Sequence, residues 1–140
     1  MNEQDLNLLL LDLSTRLPYG VKIYNETYKE PSIQTLKGLD GNVCIMRETY
    51  LETSSHTISR TKHHTGRIES CKPYLRPMSS MTKEEKVYLA QRHFYEGQSA
   101  YANVYIAAEV VDWMTEHHLD FRGLIPKGLA LEAPEGMYNF

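Results

Sequence analysis

The side chains that could do chemistry are the place to begin. His56, His63, His64 and Cys71 lie close together in sequence, and all are zinc-ligand types. Structural zinc sites use ligands paired about two to five residues apart on each side of a turn. Here His63 and His64 are adjacent, so on a strand they face opposite ways, and there is no Cys-x-x-Cys. A second grouping, His93 with His117 or His118, needs two helices to meet at one level. The expectation is no metal and no other cofactor, with the histidines in solvated loops and at helix ends.

Nucleophilic chemistry has one candidate. Cys71 has Lys72 beside it and Arg67 nearby, a positive field that would favour a thiolate if a base were in reach. A free cysteine at a strand end otherwise serves as a small apolar residue. There is no Gly-x-Ser-x-Gly elbow, no His-Glu-x-x-His, no carboxylate pair set apart and no glycine-rich phosphate cradle. The chain therefore reads as non-enzymatic, with no catalytic residue. A small hydrolase or metal-dependent enzyme is the second alternative, and it would require His93, His117 or Cys71 to converge in a pocket.

The remaining feature is a cationic stretch: Arg60, Lys62, His63, His64, Arg67, Lys72 and Arg76, with Tyr74 interleaved. Residues 31–78 carry four acids against seven bases, whereas residues 100–140 carry six acids against two bases. The net charge is −3, so the molecule is dipolar rather than basic. Such a segment can grip an acidic protein surface. It can also neutralise phosphates while the tyrosine stacks on a base, although no RRM, KH or OB signature is present. A solvated loop is the bland alternative. The eight residues from Arg60 to Arg76 named above are the expected contact surface. A protein is the first partner and nucleic acid the alternative.

These residues need a scaffold. Leu6, Leu9, Leu10, Leu13 and Leu17 recur at helical spacing and predict a helix from about residue 3 to 16, stopped by Pro18. Val21, Ile23 and Asn25 alternate with polar neighbours as in a half-buried strand. Asp40-Gly41 predicts a type I′ hairpin turn between two strands, with Leu36, Leu39, Val43 and Ile45 inward. Residues 48–66 are rich in Ser and Thr; they read as a long polar hairpin or a mobile insertion. A strand returns from Arg67 to Leu75 with Ile68 inward, and Pro73 and Pro77 bar a central position beyond that point and impose an extended path. Thr82 to Glu85 is a capping box opening a helix with Gly97 as its stop. Ser99 caps a second helix, apolar almost all round from Ala100 to Met114, which predicts the central helix of the domain. Its aromatic neighbours read as core, and His117 and His118 as cations at the negative end of its dipole. Residues 132–140 form a surface tail with Met137, Tyr138 and Phe140 as docking residues.

Composition bounds the class. A chain of 140 residues, 41% hydrophobic and 24% charged, is ordinary for one globular domain and excludes a disordered tail, a fibre or a disulfide mini-protein. Two cysteines suit free thiols, no apolar run is long enough for a membrane, and no signal-type leader is seen, which points to the cytoplasm. The segments LPYGVK (17–22), CKPYLRPMSSMT (71–82), DWMT (112–115) and HLDFRGLIPKGLALEA (118–133) resemble a group of small proteins of gut Bacteroidales and their prophages and mobile elements. That resemblance implies a genomic setting and no chemistry. The expected fold is α+β, a single domain over 1–140. It has an N-terminal helix, a small antiparallel sheet of three to four strands and two C-terminal helices packed on one face. The expected function is that of a small accessory protein of a phage or mobile element acting by stoichiometric protein binding, with a homo-oligomer open.

Overall fold

The computed structural model describes residues 1–27, 33–53, 57–92 and 100–138, apart from the side chains of 49–53, 57–60, 100 and 101. The elements are α1 (Glu3–Arg16), β1 (Lys22–Asn25), β2 (Ile33–Asp40), β3 (Val43–Thr53), β4 (Thr57–Arg67), β5 (Cys71–Leu75), α2 (Lys83–Ala90), α3 (Ala100–Glu116) and β6 (Leu131–Glu132). The fold is α+β, but the sheet has six strands in the order β4-β3-β2-β1-β5-β6, not three or four. It is mixed, because β6 runs parallel to β5 while every other pairing is antiparallel. The extra strands come from the polar stretch, whose arms pair from Val43↔Arg67 to Thr53↔Thr57 without a register shift, and from the short β6. The tip at 54–56 lies outside the described residues, as do Gly97 and Ser99.

Helix α1 starts at Asn2, whose side chain accepts from the Asp5 amide at 2.7 Å. Leu9 and Leu13 are fully buried against Val21, Ile23, Leu36, Met46 and Leu75, so α1 covers one face of the sheet. Asn25 follows Val21 and Ile23 inward as the alternation predicts. The β2–β3 hairpin forms, but its loop residues are Gly41 and Asn42, since Asp40 pairs with Val43. Among the described residues only Gly41 of the two has positive φ (58°), which is the pattern of a type II′ turn rather than I′. In β3, Cys44 and Met46 are buried, while Val43 and Ile45 are each 37% exposed, the reverse of the expected facing. Leu36 and Leu39 nevertheless share the covered side, because a bulge at Lys37 intervenes between Leu36↔Met46 and Gly38↔Ile45.

From β4 the chain crosses beneath the sheet to β5 through a 3-10 turn at Ile68–Ser70, with Ile68 fully buried. The crossing is tight. A Cβ on Gly66 would sit 2.9 Å from Asn25 Oδ1 and 3.1 Å from Cys71 Sγ, so only glycine fits. Cys44 and Cys71 are both buried free thiols that hydrogen-bond to each other. That bond and burial hold the Cys71 thiol well above its ordinary value, the state of a packing residue.

Two parts of the helical reading change. Helix α3 is not the buried centre: Thr115 is its only buried side chain among those described, and Val104 and Tyr105 are 67% and 69% exposed. Asp12 and Arg16, which lie outside the leucine stripe of α1, are fully buried. The segment 119–122 covers that flank and supplies partners. Arg16 Nε donates to Asp12 Oδ2 at 2.7 Å and Nη2 to the Leu119 carbonyl at 2.7 Å, while Arg122 Nη1 lies 3.1 Å from Asp12 Oδ1. The Phe121 ring lies beneath both guanidiniums, 5.4 and 4.5 Å from their carbons. Removing one member of a buried ion pair strands the other. Arg16→Met is therefore expected to lower stability by about 3 kcal/mol in urea unfolding. A loss under about 1 kcal/mol would show that Arg122 alone suffices for Asp12.

Candidate functional site: the open face of the sheet

No described helix covers the second face of the sheet, and the side chains that alternate with the core residues therefore meet solvent. Register lines them up across strands. His63 on β4 opposes Arg47 on β3, Arg47 opposes Thr35 on β2, and Thr35 opposes Lys22 on β1. A second line joins Ile33, Tyr24 and Lys72. Arg67 and Thr65 lie beside Val43 and Ile45 at the other end of β4. With strands about 4.8 Å apart, Arg47 and Lys22 stand roughly 10 Å from each other. The face thus combines Lys22, Arg47, Arg67 and Lys72 with aliphatic Ile33 on one side of the Thr35–Arg47 pair and Val43 and Ile45 on the other, 50%, 37% and 37% exposed. Its acids are peripheral: Asp40 beside the hairpin turn, and Glu26, whose Oε1 is 3.3 Å from Lys72 Nζ.

The expected contact residues divide. His63, Arg67, Lys72 and Tyr74 share the open face. Tyr74 meets Tyr24 edge to face at 6.3 Å, and burial with the neighbouring phenol raises its pKa above the ordinary value. Lys62 and His64 belong to the opposite face by parity. His64 Nε2 lies 2.9 Å from Glu48 Oε2. The Arg60 side chain lies outside the described residues, although its backbone pairs with Tyr50. Arg76 is committed to the interior: its guanidinium makes two bonds to Glu85, at 2.9 and 2.6 Å, and reaches the His117 and Ser80 carbonyls. That pairing and the Thr82 capping bonds pull the Glu85 pKa down to about 2. Sequence reasoning missed Lys22, Tyr24 and Arg47. The alternation of β1 already placed the first two outward, and the correct parity of β3 places the third.

Position on this face is set by an unusual splice. Where β1 and β5 diverge, the Lys22 amide donates to Tyr138 Oη at 2.8 Å, and Tyr138 Oη donates to the Tyr74 carbonyl at 2.8 Å. The tail therefore docks through Tyr138 as expected, and the hydroxyl stands in for a ladder bond between the strands that carry Lys22 and Tyr74. Burial pushes the Tyr138 hydroxyl up, so it stays a donor. Its ring stacks on His118 at 3.8 Å between centroids. His118 ends α3 with φ of 58° in a Schellman arrangement: its own amide donates to the Thr115 carbonyl and the Leu119 amide to that of Met114. His118 is not the dipole-compensating cation expected of it. Burial, with Arg16, His117, Arg76 and Lys22 nearby, lowers its pKa to about 4.

Other features offer less chemistry. A cleft of about 450 Å³ lies between the end of β5, the start of α2 and residues 132–138. Its cation, Arg76, is already paired with Glu85, and Glu132 and Glu135 are its remaining charges. Among the described residues no three His, Cys, Asp or Glu side chains are placed to hold a metal. His93 lies outside them, and His117 stacks on Trp113 at 4.3 Å. Among the described residues no helix is long and apolar enough to cross a membrane. No protein-family model, curated protein or solved structure matches the chain.

The two shifted groups define separate acid windows. His118 falls from an ordinary 6.5 to about 4, so the unfolded chain binds its proton first; the stability from neutral His118 is complete above pH 6.5 and drains toward pH 4. For Glu85 the window runs from 4.5 down to about 2. Urea unfolding across pH is expected to show a first loss on the order of 3 kcal/mol in the His118 window. His118→Asn, which tolerates the left-handed backbone, removes that first window and leaves the second. An unchanged first window in the variant would assign it elsewhere.

Proposed function

We propose that the chain is a non-enzymatic accessory protein that acts by stoichiometric binding to another protein, with the open face of its sheet as the contact surface. One observation carries this reading: an uncovered face on which Lys22, Arg47, Arg67 and Lys72 are interspersed with the exposed aliphatic side chains of Ile33, Val43 and Ile45. Exposed apolar side chains with arginine and tyrosine among them suit a protein interface. The cations favour a partner surface that is acidic. The phage or mobile-element setting implied by the sequence resemblance is compatible with such a binder and forms part of the proposal.

The tyrosine pair gives the alternative, a nucleic-acid-binding module, its specific support, since half-buried aromatics beside cations can still offer a ring face to a base. The edge-to-face contact of Tyr24 with Tyr74 weakens it, because each ring partly occupies the other's environment. Aliphatic groups beside the cations also suit side chains better than bases.

The test is capture from native host lysate with and without nuclease, using wild-type chain and the Arg47→Glu, Arg67→Glu double variant. A protein retained after nuclease, reconstituting at one to one and weakened about tenfold or more by the double variant, is expected. Recovery of nucleic acid, with affinity falling steeply with salt, would transfer the face to the alternative. Equal capture by the double variant would remove the open face from the account.

A further inference from the structure

We infer that the outer edge of β4 is a strand-addition site for an extended acidic segment of the partner; this rests on the protein-binding reading and specifies its geometry. Strand β4 ends the sheet order, so among the described residues nothing pairs with its outer side. It has 11 residues, contains no proline, and pairs with β3 from end to end without a bulge. Natural proteins blunt such an edge with a proline, a bulge, a covering element or charged side chains; among the described residues β4 carries only the last, its cations, which repel a like-charged strand and admit an acidic one.

Bond parity identifies which groups are offered. The Ile68 amide donates to the Asn42 carbonyl at 2.9 Å, in step with the Val43↔Arg67 register. Pairs that exchange ladder bonds therefore include Cys44 with Gly66, Met46 with His64 and Glu48 with Lys62. The amides and carbonyls of Thr61, His63, Thr65 and Arg67 consequently point away from β3, where among the described residues no further strand meets them. The side chains of those four residues are exposed and project onto the open face. An added strand would thus extend the proposed contact surface by one strand, with alternate side chains beside His63 and Arg67.

Charge selects the occupant. From Thr57 to Arg67 the strand contains Arg60, Lys62 and Arg67 and no acid. A second copy of the chain would bring a strand bearing the same cations and no acid against this one, and like charges across strands are destabilising. A partner strand with Asp or Glu at alternate positions meets Arg67 and His63 on one face and gains steering from the rest. Backbone bonds would supply affinity and alternate side chains specificity, the usual division in strand addition.

The test uses isotopically labelled full chain and three probes: a capped ten-residue peptide of alternating Val and Glu, the same peptide with Lys for Glu, and a ten-nucleotide oligo-dT. Amide exchange at Thr61, His63, Thr65 and Arg67 is expected to slow about tenfold or more with the glutamate peptide alone, while Lys62, His64 and Gly66 change little. Thr65→Pro removes an outward amide without touching a ladder bond to β3, a change tolerated on edge strands, and is expected to weaken the peptide about tenfold. If that variant fails to fold, the wild-type exchange pattern still decides. Binding without protection of the outward amides, equal protection by the lysine peptide, or protection by oligo-dT would each overturn the inference. A lysate partner that binds Thr65→Pro as well as wild type would also overturn it, leaving the protein-binding reading intact. Edge protection by the glutamate peptide with no protein partner in lysate would instead retain the edge and reject that reading.

Discussion

The buried charge pair on α1 is the constraint from which much of the arrangement follows. Asp12 and Arg16 are both fully buried, and neither can be without partners in a low-dielectric interior. The pair satisfies part of its own need; the Leu119 carbonyl and Arg122 supply more. The segment 118–122 is therefore held against the flank of α1. From there, the Arg76 amide donates to the His118 carbonyl, and the Asp120 amide donates to the Arg76 carbonyl. Asp120 in turn accepts from the Leu124 and Ile125 amides, shaping the turn that brings β6 to β5. One charged turn of helix thus organises the far edge of the sheet.

That organisation is one-sided. Helix α1, about 21 Å long at 1.5 Å per residue, and the C-terminal segment both lie on the covered face. Helices α2 and α3 are joined to this layer by different forces. Arg76 and Glu85 tie the start of α2 to β5, while Trp113 stacks between Tyr88 and His117 at 4.5 and 4.3 Å. Exposed Glu109, Asp112 and Glu116 place acids on α3, whereas the cations line the sheet. The dipole visible in the charge distribution thereby becomes a distinction between layers. The uncovered face remains compatible with water because cations and threonines alternate there with the aliphatic side chains.

Much of this was legible from local patterns. The α1 stripe, the β1 alternation, the Asp40–Val43 hairpin and the Thr82–Glu85 capping box are all short-range signals, and each formed. What failed depended on distant partners. With the bulge at Lys37, Leu36 lies opposite Met46 rather than Ile45, so Cys44 and Met46 turned inward and Val43 and Ile45 outward. Asp12 and Arg16 were buried because residues more than a hundred positions away covered them. His118 lost its expected charge for the same reason. The candidate site was half legible: His63, Arg67, Lys72 and Tyr74 share the open face, but Arg76 was withdrawn by Glu85, and Lys22, Tyr24 and Arg47 entered through sheet order. The resemblance to small proteins of mobile elements bears on setting and supplied none of this geometry.

The central claim is that this chain meets its partner with the sheet and not with the helices, and its own lysines are suited to test it. Lys22 and Lys72 belong to the open face and Lys62 to the edge strand, whereas Lys83 and Lys86 lie on α2 and Lys127 on the C-terminal turn. Acetylation footprinting of the reconstituted complex would compare their reactivities with those of the free chain. Protection of Lys22, Lys62 and Lys72, with Lys83, Lys86 and Lys127 unchanged, is the predicted result. Protection confined to Lys83, Lys86 and Lys127 would contradict the account and move the interface to the helical layer.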